Sequence, residues 1–457
     1  MPTFSFVKSA IVTIACLLPA QSGLLAQTAG NDCNAEDQAW MDSWFPHDTT
    51  PEPAPVLSSD SLCAFHVWST QMFLWLTQTD PATQNMRLLD MTPIDEMFDA
   101  AAGAKKTRAE APLQLRPRLS KANEVGIGEI NQAGSSGILV DHAGRVVYYE
   151  QLFNDAFVSF VRETFFTGGV FDPTLMAAAT GTADFFPAGV MELKSSWRVM
   201  QPGDTGYLTT QAEVYALKNV DGKIVVDPTT TLPVTVGLVG LHIAGTVQDH
   251  PEMIWATFEH NSNSPVLPTG MSPTSTDAVS QNNYTFYTAG TPANQSNIYD
   301  ASTLTLNEET QVLSPKTQVF LQFDHGIPVG AKDGDVNAAD IDYINAYLAK
   351  NLDGSSDNTQ YYSEIGAIWM TPNSLEPDQF PITQLRGSTM LSNATMETFT
   401  QNGAQCFSCH NTLPQFETIN GSQAMLPGTN FNISHALVGE YFRSLAAQQG
   451  LSGMSLR

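Results

Sequence analysis

Cations are scarce in this chain. Its 457 residues carry 20 Lys and Arg against 46 Asp and Glu, a formal net charge of −26. Such a charge repels nucleic acid and anionic membrane surfaces and argues against them as partners; it favours a cationic protein, or serves solubility alone, the more frequent role of such a charge. No single acidic run is dense enough to make a docking patch. Long hydrophobic runs are missing too. The apolar stretch from Ala10 to Pro19 is too short to cross a bilayer, and nothing later approaches the roughly 20 apolar residues that a span requires. Cysteine is sparse, with 5 in the chain. No internal repeat is found. Apolar content is ordinary, so the chain can bury a large core and disorder is not indicated.

The first residues have the order of a secretory signal. Lys8 supplies the positive region, Ala10 to Pro19 the apolar one, and Gly23-Leu24-Leu25-Ala26 a small-residue cleavage site. This predicts a signal peptide over 1–26, a soluble mature protein, and a periplasmic or secreted location. Cys16 lies inside the apolar stretch without a lipoprotein-type context. Of the remaining cysteines, Cys33 and Cys63 form a pair expected to be a disulfide in an oxidising compartment, the alternative being two free thiols. Closing that loop stabilises by roughly 3 kcal/mol in the chain-entropy picture.

Beyond a Pro-rich stretch (Pro51, Pro53, Pro55), Ser58 or Ser59 can cap a helix. That helix places Cys63, Phe65, Trp68, Met72 and Trp75 on an apolar face, with His66 near its edge. The stretch from Arg87 to Ser136 is loop-rich. Strand patterns then dominate, over Arg145 to Phe153, Val190 to Met200, Tyr207 to Leu217, Thr235 to Val247, Met253 to His260 and Thr317 to Phe323. One helix, Asp155 to Phe166, interrupts them, and Ser262 to Asn297 is a long polar loop. The fold class expected is α+β: an antiparallel-rich sheet domain with packed helices over 27–383, and a small α-helical segment over 384–457. The boundary falls in the proline- and acid-rich stretch from Thr371 to Thr383.

Near the C-terminal end stands Cys406-Phe407-Ser408-Cys409-His410, the attachment pattern of c-type haem. Two thiols at this spacing add to two vinyl groups on one porphyrin edge, and the adjacent histidine turns under the iron. The competing uses are a redox dithiol or half a zinc site. A redox pair belongs after a strand of a thioredoxin-like unit, and none is evident. A zinc site needs a second Cys or His pair nearby, and His435 is alone. One covalent haem is therefore expected, with His410 as the proximal iron ligand.

The flanks favour the same cofactor. Thr395 to Gln405 is predicted as a helix leading into the motif and Asn432 to Gln448 as a closing helix. The order helix, attachment motif, loop, helix resembles a shortened class I cytochrome c. In that family the loop is longer and carries a Met ligand, so here the large domain is expected to pack on the haem and build its far side. The chain as a whole resembles a group of large bacterial monohaem proteins of the cytochrome c family. The resemblance rests on "FHVWSTQMFLWL", "ELKSSWR", "GLHI" with "HPEMIWATFEH", and "STMLSNATMETF". It implies a periplasmic haem protein and supplies no catalytic mechanism.

Candidate sixth ligands are Met425, in "AMLPGTNF", and His242 or His260. A simple hairpin around His250 places His242 and His260 on one face, where they supply a ligand, a proton-transfer pair with Glu259 close by, or a second metal site. The structural alternative is histidines satisfied within a sheet, with Met425 packed in the core. Glu192, Lys194 and Arg198 around Trp197 are expected on a solvated strand face, with Arg198 an optional partner for a haem propionate. Asp333 to Asp340 resembles the second half of a calcium loop. However, Val329 and Ala331 occupy its first and third positions and cannot ligate through their side chains, so calcium is not expected and the segment begins a helix. Three functions remain. An electron-transfer cytochrome working with a redox partner, a basic one favoured by charge, ranks first. A haem oxidoreductase, peroxidase- or oxygenase-like, with a small-molecule substrate pocket between the large domain and the haem ranks second. A haem-anchored binding or gas-sensing module is third. Enzymatic activity is left open.

Overall fold

A computed structural model of the chain describes residues 30–45, 50–58, 61–99, 113–115, 137–328, 331, 333–381, 383–403 and 405–449. The signal-peptide residues (Lys8, the stretch from Ala10 to Pro19, Cys16, Gly23 to Ala26), Ser59, Val329 and most of the loop-rich stretch after Arg87 lie outside them. The class is α+β, as expected.

Among the described residues, nine strands form one mostly antiparallel sheet: β1 (Thr92–Pro93), β2 (Leu113–Leu115), β3 (Tyr148–Phe153), β4 (Met191–Val199), β5 (Thr209–Val220), β6 (Lys223–Val247), β7 (His250–His260), β8 (Tyr362–Met370) and β9 (Leu385–Gly387). The spatial order is β1-β3-β4-β6-β7-β8-β9. The 25-residue β6 organises it. Its first half pairs with β5, its second half lies between β4 and β7, and β2 joins β5 in parallel. Successive side chains on these strands point to opposite faces, and both faces are covered.

One face carries helices. The principal helices are α1 (Ala35–Asp42), α2 (Cys63–Thr77), α3 (Asp155–Phe165), α4 (Gly334–Leu352), α5 (Cys406–Cys409) and α6 (His435–Gln448). Helix α2 lies on the sheet: Phe73 stacks on Phe258 at 4.4 Å and Phe65 on Trp369 at 4.1 Å between ring centroids. Such pairs add about 0.5–1.5 kcal/mol each beyond the area they bury. Helix α4 packs Ile344, Leu348 and Leu352 against Val67 and Leu74 of α2 and Met41 of α1. The Cys33–Cys63 disulfide ties the segment before α1 to the start of α2. His66, expected at the helix edge, is fully buried between α4 and β8.

The other face holds α3, α5 and α6 in a second core that includes Phe157, Phe165, Trp255, Phe407, Phe431 and Leu437. Phe431, just before α6, meets Phe186 at 5.1 Å and Phe165 at 5.2 Å. Between α5 and α6 stands a hairpin of β10 (Gln415–Ile419) and β11 (Ser422–Leu426), where a loop was expected.

Three further expectations are corrected. Thr395 to Gln405 is not a helix: it runs through turns to a short 3₁₀ turn at Gln401–Gly403. Thr395 Oγ1 donates to Asn393 Oδ1 at 2.6 Å and Thr398 Oγ1 to Ala394 O at 2.5 Å, local bonds that compete with helix formation. Thr317 to Phe323 is extended, with a single parallel bridge between Leu321 and Val266. The region around Glu192 and Arg198 is not a solvated face; both side chains are buried.

Candidate functional site

Helix α5 is one turn long, so Cys406 and Cys409, three residues apart, share a side of it while Phe407 turns into the core. The His410 N–H closes the turn on Cys406 O at 2.7 Å. Both cysteines are free thiols, Cys409 exposed and Cys406 partly so. Burial pushes the Cys406 thiol well up, and the Glu397 charge acts in the same direction.

The imidazole of His410 is held from three directions. Its Nδ1 lies 2.8 Å from the Ile433 carbonyl, an oxygen that can only accept, so Nδ1 carries a proton. Trp255 of β7 packs on the ring at 4.1 Å between centroids, and His435 stacks on it at 4.0 Å with 20° between planes. His435 Nε2 donates to Cys409 O at 3.0 Å. In the sequence His435 stands out only as a lone histidine after the motif, and Trp255 carries no signal there. Only the α-helical spacing of 433 and 437 hinted that Ile433 faces inward.

Among the described residues, the one set of three His, Cys, Asp or Glu ligand atoms lying within 4.8 Å of one another is Cys33, Cys63 and Asp340. Cys406, Cys409 and His410 do not converge in that way, as a tetrahedral zinc site would require.

The motif lies against a polar strip of the sheet. Register places Lys194, His242 and Thr257 in one row across β4, β6 and β7, with Glu192, Ala244 and Trp255 in the next. His242 Nε2 is 3.2 Å from Glu397 Oε1. The two side chains keep 20% and 26% of their surface. Burial acts to raise the Glu397 carboxyl, but His242 and Lys194 outweigh it and hold the group down at about 2. Glu192 Oε2 accepts from Ser434 Oγ at 2.8 Å.

The same register corrects the histidine pairing. His242 stands opposite Thr257, so His260, three residues further along β7, points to the other face. There it stacks on Tyr207 at 4.0 Å, its Nε2 donates to Gly206 O at 3.1 Å, and its Nδ1 accepts from Ser262 Oγ at 2.8 Å. Burial lowers it to about 4. With both nitrogens engaged away from the motif, His260 is not brought to the site. Met425 sits on the outer side of the hairpin opposite Phe416, and the two are 51% and 55% exposed. Arg198 is committed to Asp141 at 3.1 Å and Asp204 at 2.9 Å rather than turned to a ligand.

The segments that carried the resemblance meet one another. Asn393 Nδ2 donates to Thr257 Oγ1 at 2.8 Å, the Ala394 N–H to Glu259 Oε1 at 2.6 Å, and Ser196 Oγ and Thr395 Oγ1 share a hydrogen bond of 2.7 Å. They bolt the chain leading to Cys406 onto the sheet. Glu259, next to His260 in β7, is one of those bolts.

No family model, curated protein or solved structure matches this chain. No helix of the described residues is long and apolar enough to cross a membrane.

Proposed function

We propose that this chain is an exported c-type haem protein, with one haem attached through Cys406 and Cys409, His410 on the iron, and electron transfer as its task. The observation that carries the proposal is the hydrogen bond from His410 Nδ1 to the Ile433 carbonyl at 2.8 Å. Metal-ligating histidines characteristically donate their second nitrogen to a carbonyl, which fixes the ring and directs Nε2 at the metal. The donor set fits as well: two free thiols on one side of a helical turn, beside an imidazole already oriented. A haem bound there supplies a one-electron redox centre. The residues around it have separate duties. Cys406 and Cys409 anchor the porphyrin edge, Ile433 aims the imidazole, and Trp255 and His435 stop it from rotating.

The Cys33–Cys63 disulfide supports a periplasmic or secreted location. The charge of −26 supports a basic redox protein as partner. A second reading, haem oxidoreductase, is favoured by the accessible His242–Glu397 pair, whose charge reaches Cys406.

The test is protein made in a haem-maturation host. Its intact mass under denaturing conditions carries one covalent haem, and Cys409→Ala loses most of it. A bare polypeptide mass, or zinc held by the two sulfurs, overturns the proposal. The spectrum of the reduced protein with carbon monoxide then separates the two readings: no shift of the main band supports a carrier, and a shift supports an open iron and the oxidoreductase.

A further inference from the structure

On the opposite side of the sheet from the motif, a second group of reactive side chains converges from four distant parts of the chain. The partly exposed Cys33 is bonded to the fully buried Cys63. Asp340, on α4 and fully buried, has Oδ1 3.7 Å from Cys33 Sγ, and the sulfur of Cys63 is within 4.8 Å of the same carboxyl group. Its Oδ1 accepts from the Asp32 N–H at 2.8 Å, while Oδ2 is buried without a hydrogen-bond partner.

A disulfide sulfur has no hydrogen, so only a protonated Asp340 can bridge the gap to Cys33. The surroundings favour that form. Burial, then the neighbouring Asp32 carboxyl, push Asp340 up to about 8, against the pull of a cationic His66. His66 has Nδ1 2.7 Å from Glu364 Oε1 and Nε2 2.9 Å from Asn337 Oδ1, two acceptors, which makes it doubly protonated. The titratable groups around Asp340 are thus Asp32 from the leading segment, Asp37 beside it on α1, His66 on α2 and Glu364 on β8.

We propose that the Cys33–Cys63 disulfide is a redox-active site, reduced by a partner dithiol with Asp340 as the acid that protonates the departing sulfur. A thiolate of the dithiol attacks Sγ of the partly exposed Cys33. The S–S bond breaks, its electron pair leaves on Cys63 Sγ, and that sulfur takes the proton of Asp340. The second thiol of the partner then displaces Cys33 and closes the partner's own disulfide. Two electrons pass to this protein, and the two protons of the dithiol end on Cys33 and Cys63, one by way of Asp340. A disulfide kept only for stability needs no acid walled in beside it. The exchange is separate from the haem proposal and stands whether or not haem is bound.

The experiment uses the folded full-length protein, dithiothreitol as the dithiol, and maleimide trapping of Cys33 and Cys63 read by mass spectrometry. Both thiols are expected to appear without denaturant and without change in the far-ultraviolet circular dichroism. The wild-type rate should rise with pH as dithiothreitol ionises and then fall as Asp340 loses its proton. Asp340→Asn should react at least about tenfold more slowly at neutral pH and show only the rise. Resistance of the disulfide until denaturant is added overturns the proposal, and so does an Asp340→Asn rate equal to wild type. Should that variant not fold, a wild-type profile that only rises with pH overturns it equally.

Discussion

His410 owes its orientation to residues from two separate parts of the chain. Trp255 comes from the middle of the sheet, Ile433 and His435 from the approach to α6 and its first residue. Trp255→Ala removes a nearly buried indole and should cost about 3–5 kcal/mol in a urea titration. It should also free the imidazole, which nitrogen-15 relaxation of the His410 ring would detect. Glu259 has a pH signature of its own. Burial raises its carboxyl from 4.5 to about 7, so the folded state holds the proton more tightly than the unfolded one. The resulting stability is present below pH 4.5 and is lost as pH rises towards 7. Glu259→Gln should flatten the urea midpoint across that window, and an unchanged slope would contradict the assignment. At this scale the motif was legible because its chemistry is local. Trp255 and the Ile433 carbonyl were not, since nothing in their own neighbourhood of sequence announces a partner more than twenty residues away.

At the scale of elements, hydrophobic patterning located β4, β7, α2 and α3 well, because each is a continuous run with its own period. It failed where polar side chains decide. The first half of β6 contains Pro228, Pro233 and a run of threonines that suggest a turn, yet it pairs with β5 on both sides of a break in register at Pro228–Thr230. β8 was overlooked: it follows turn-rich sequence, and its outer partner β9 is three residues long. The segment before Cys406 looked helical by spacing, but Asn393 and Thr395 spend their side chains on the sheet. Gly240 makes that docking possible. A Cβ there would stand 2.6 Å from Thr395 Oγ1, 2.7 Å from Ser196 Oγ and 2.9 Å from Asn393 Nδ2. Gly240→Ala is therefore expected to destabilise by about 1–3 kcal/mol and to raise amide exchange selectively around Asn393–Glu397. Uniform exchange across the sheet would show that the contact is not specific.

For the whole molecule, charge and architecture act together. No Lys or Arg occurs between Arg386 and Arg443, so the chain around the motif offers no cation of its own. Association with a basic redox protein should be fast at low salt and slow steeply once the screening length falls to about 10 Å near 0.1 M salt, measurable by stopped flow. Salt-independent association would remove charge as the basis of partner choice.

The Ile433 carbonyl also sets an order of events. It lies downstream of the histidine it aims, so an emerging chain presents Cys406 and Cys409 before this carbonyl can fix His410 Nδ1, when Trp255 is the only one of the three neighbours already made. The final geometry is locked only when the turn before the last helix settles on the sheet, so a group that joined the two sulfurs earlier would find His410 not yet aimed.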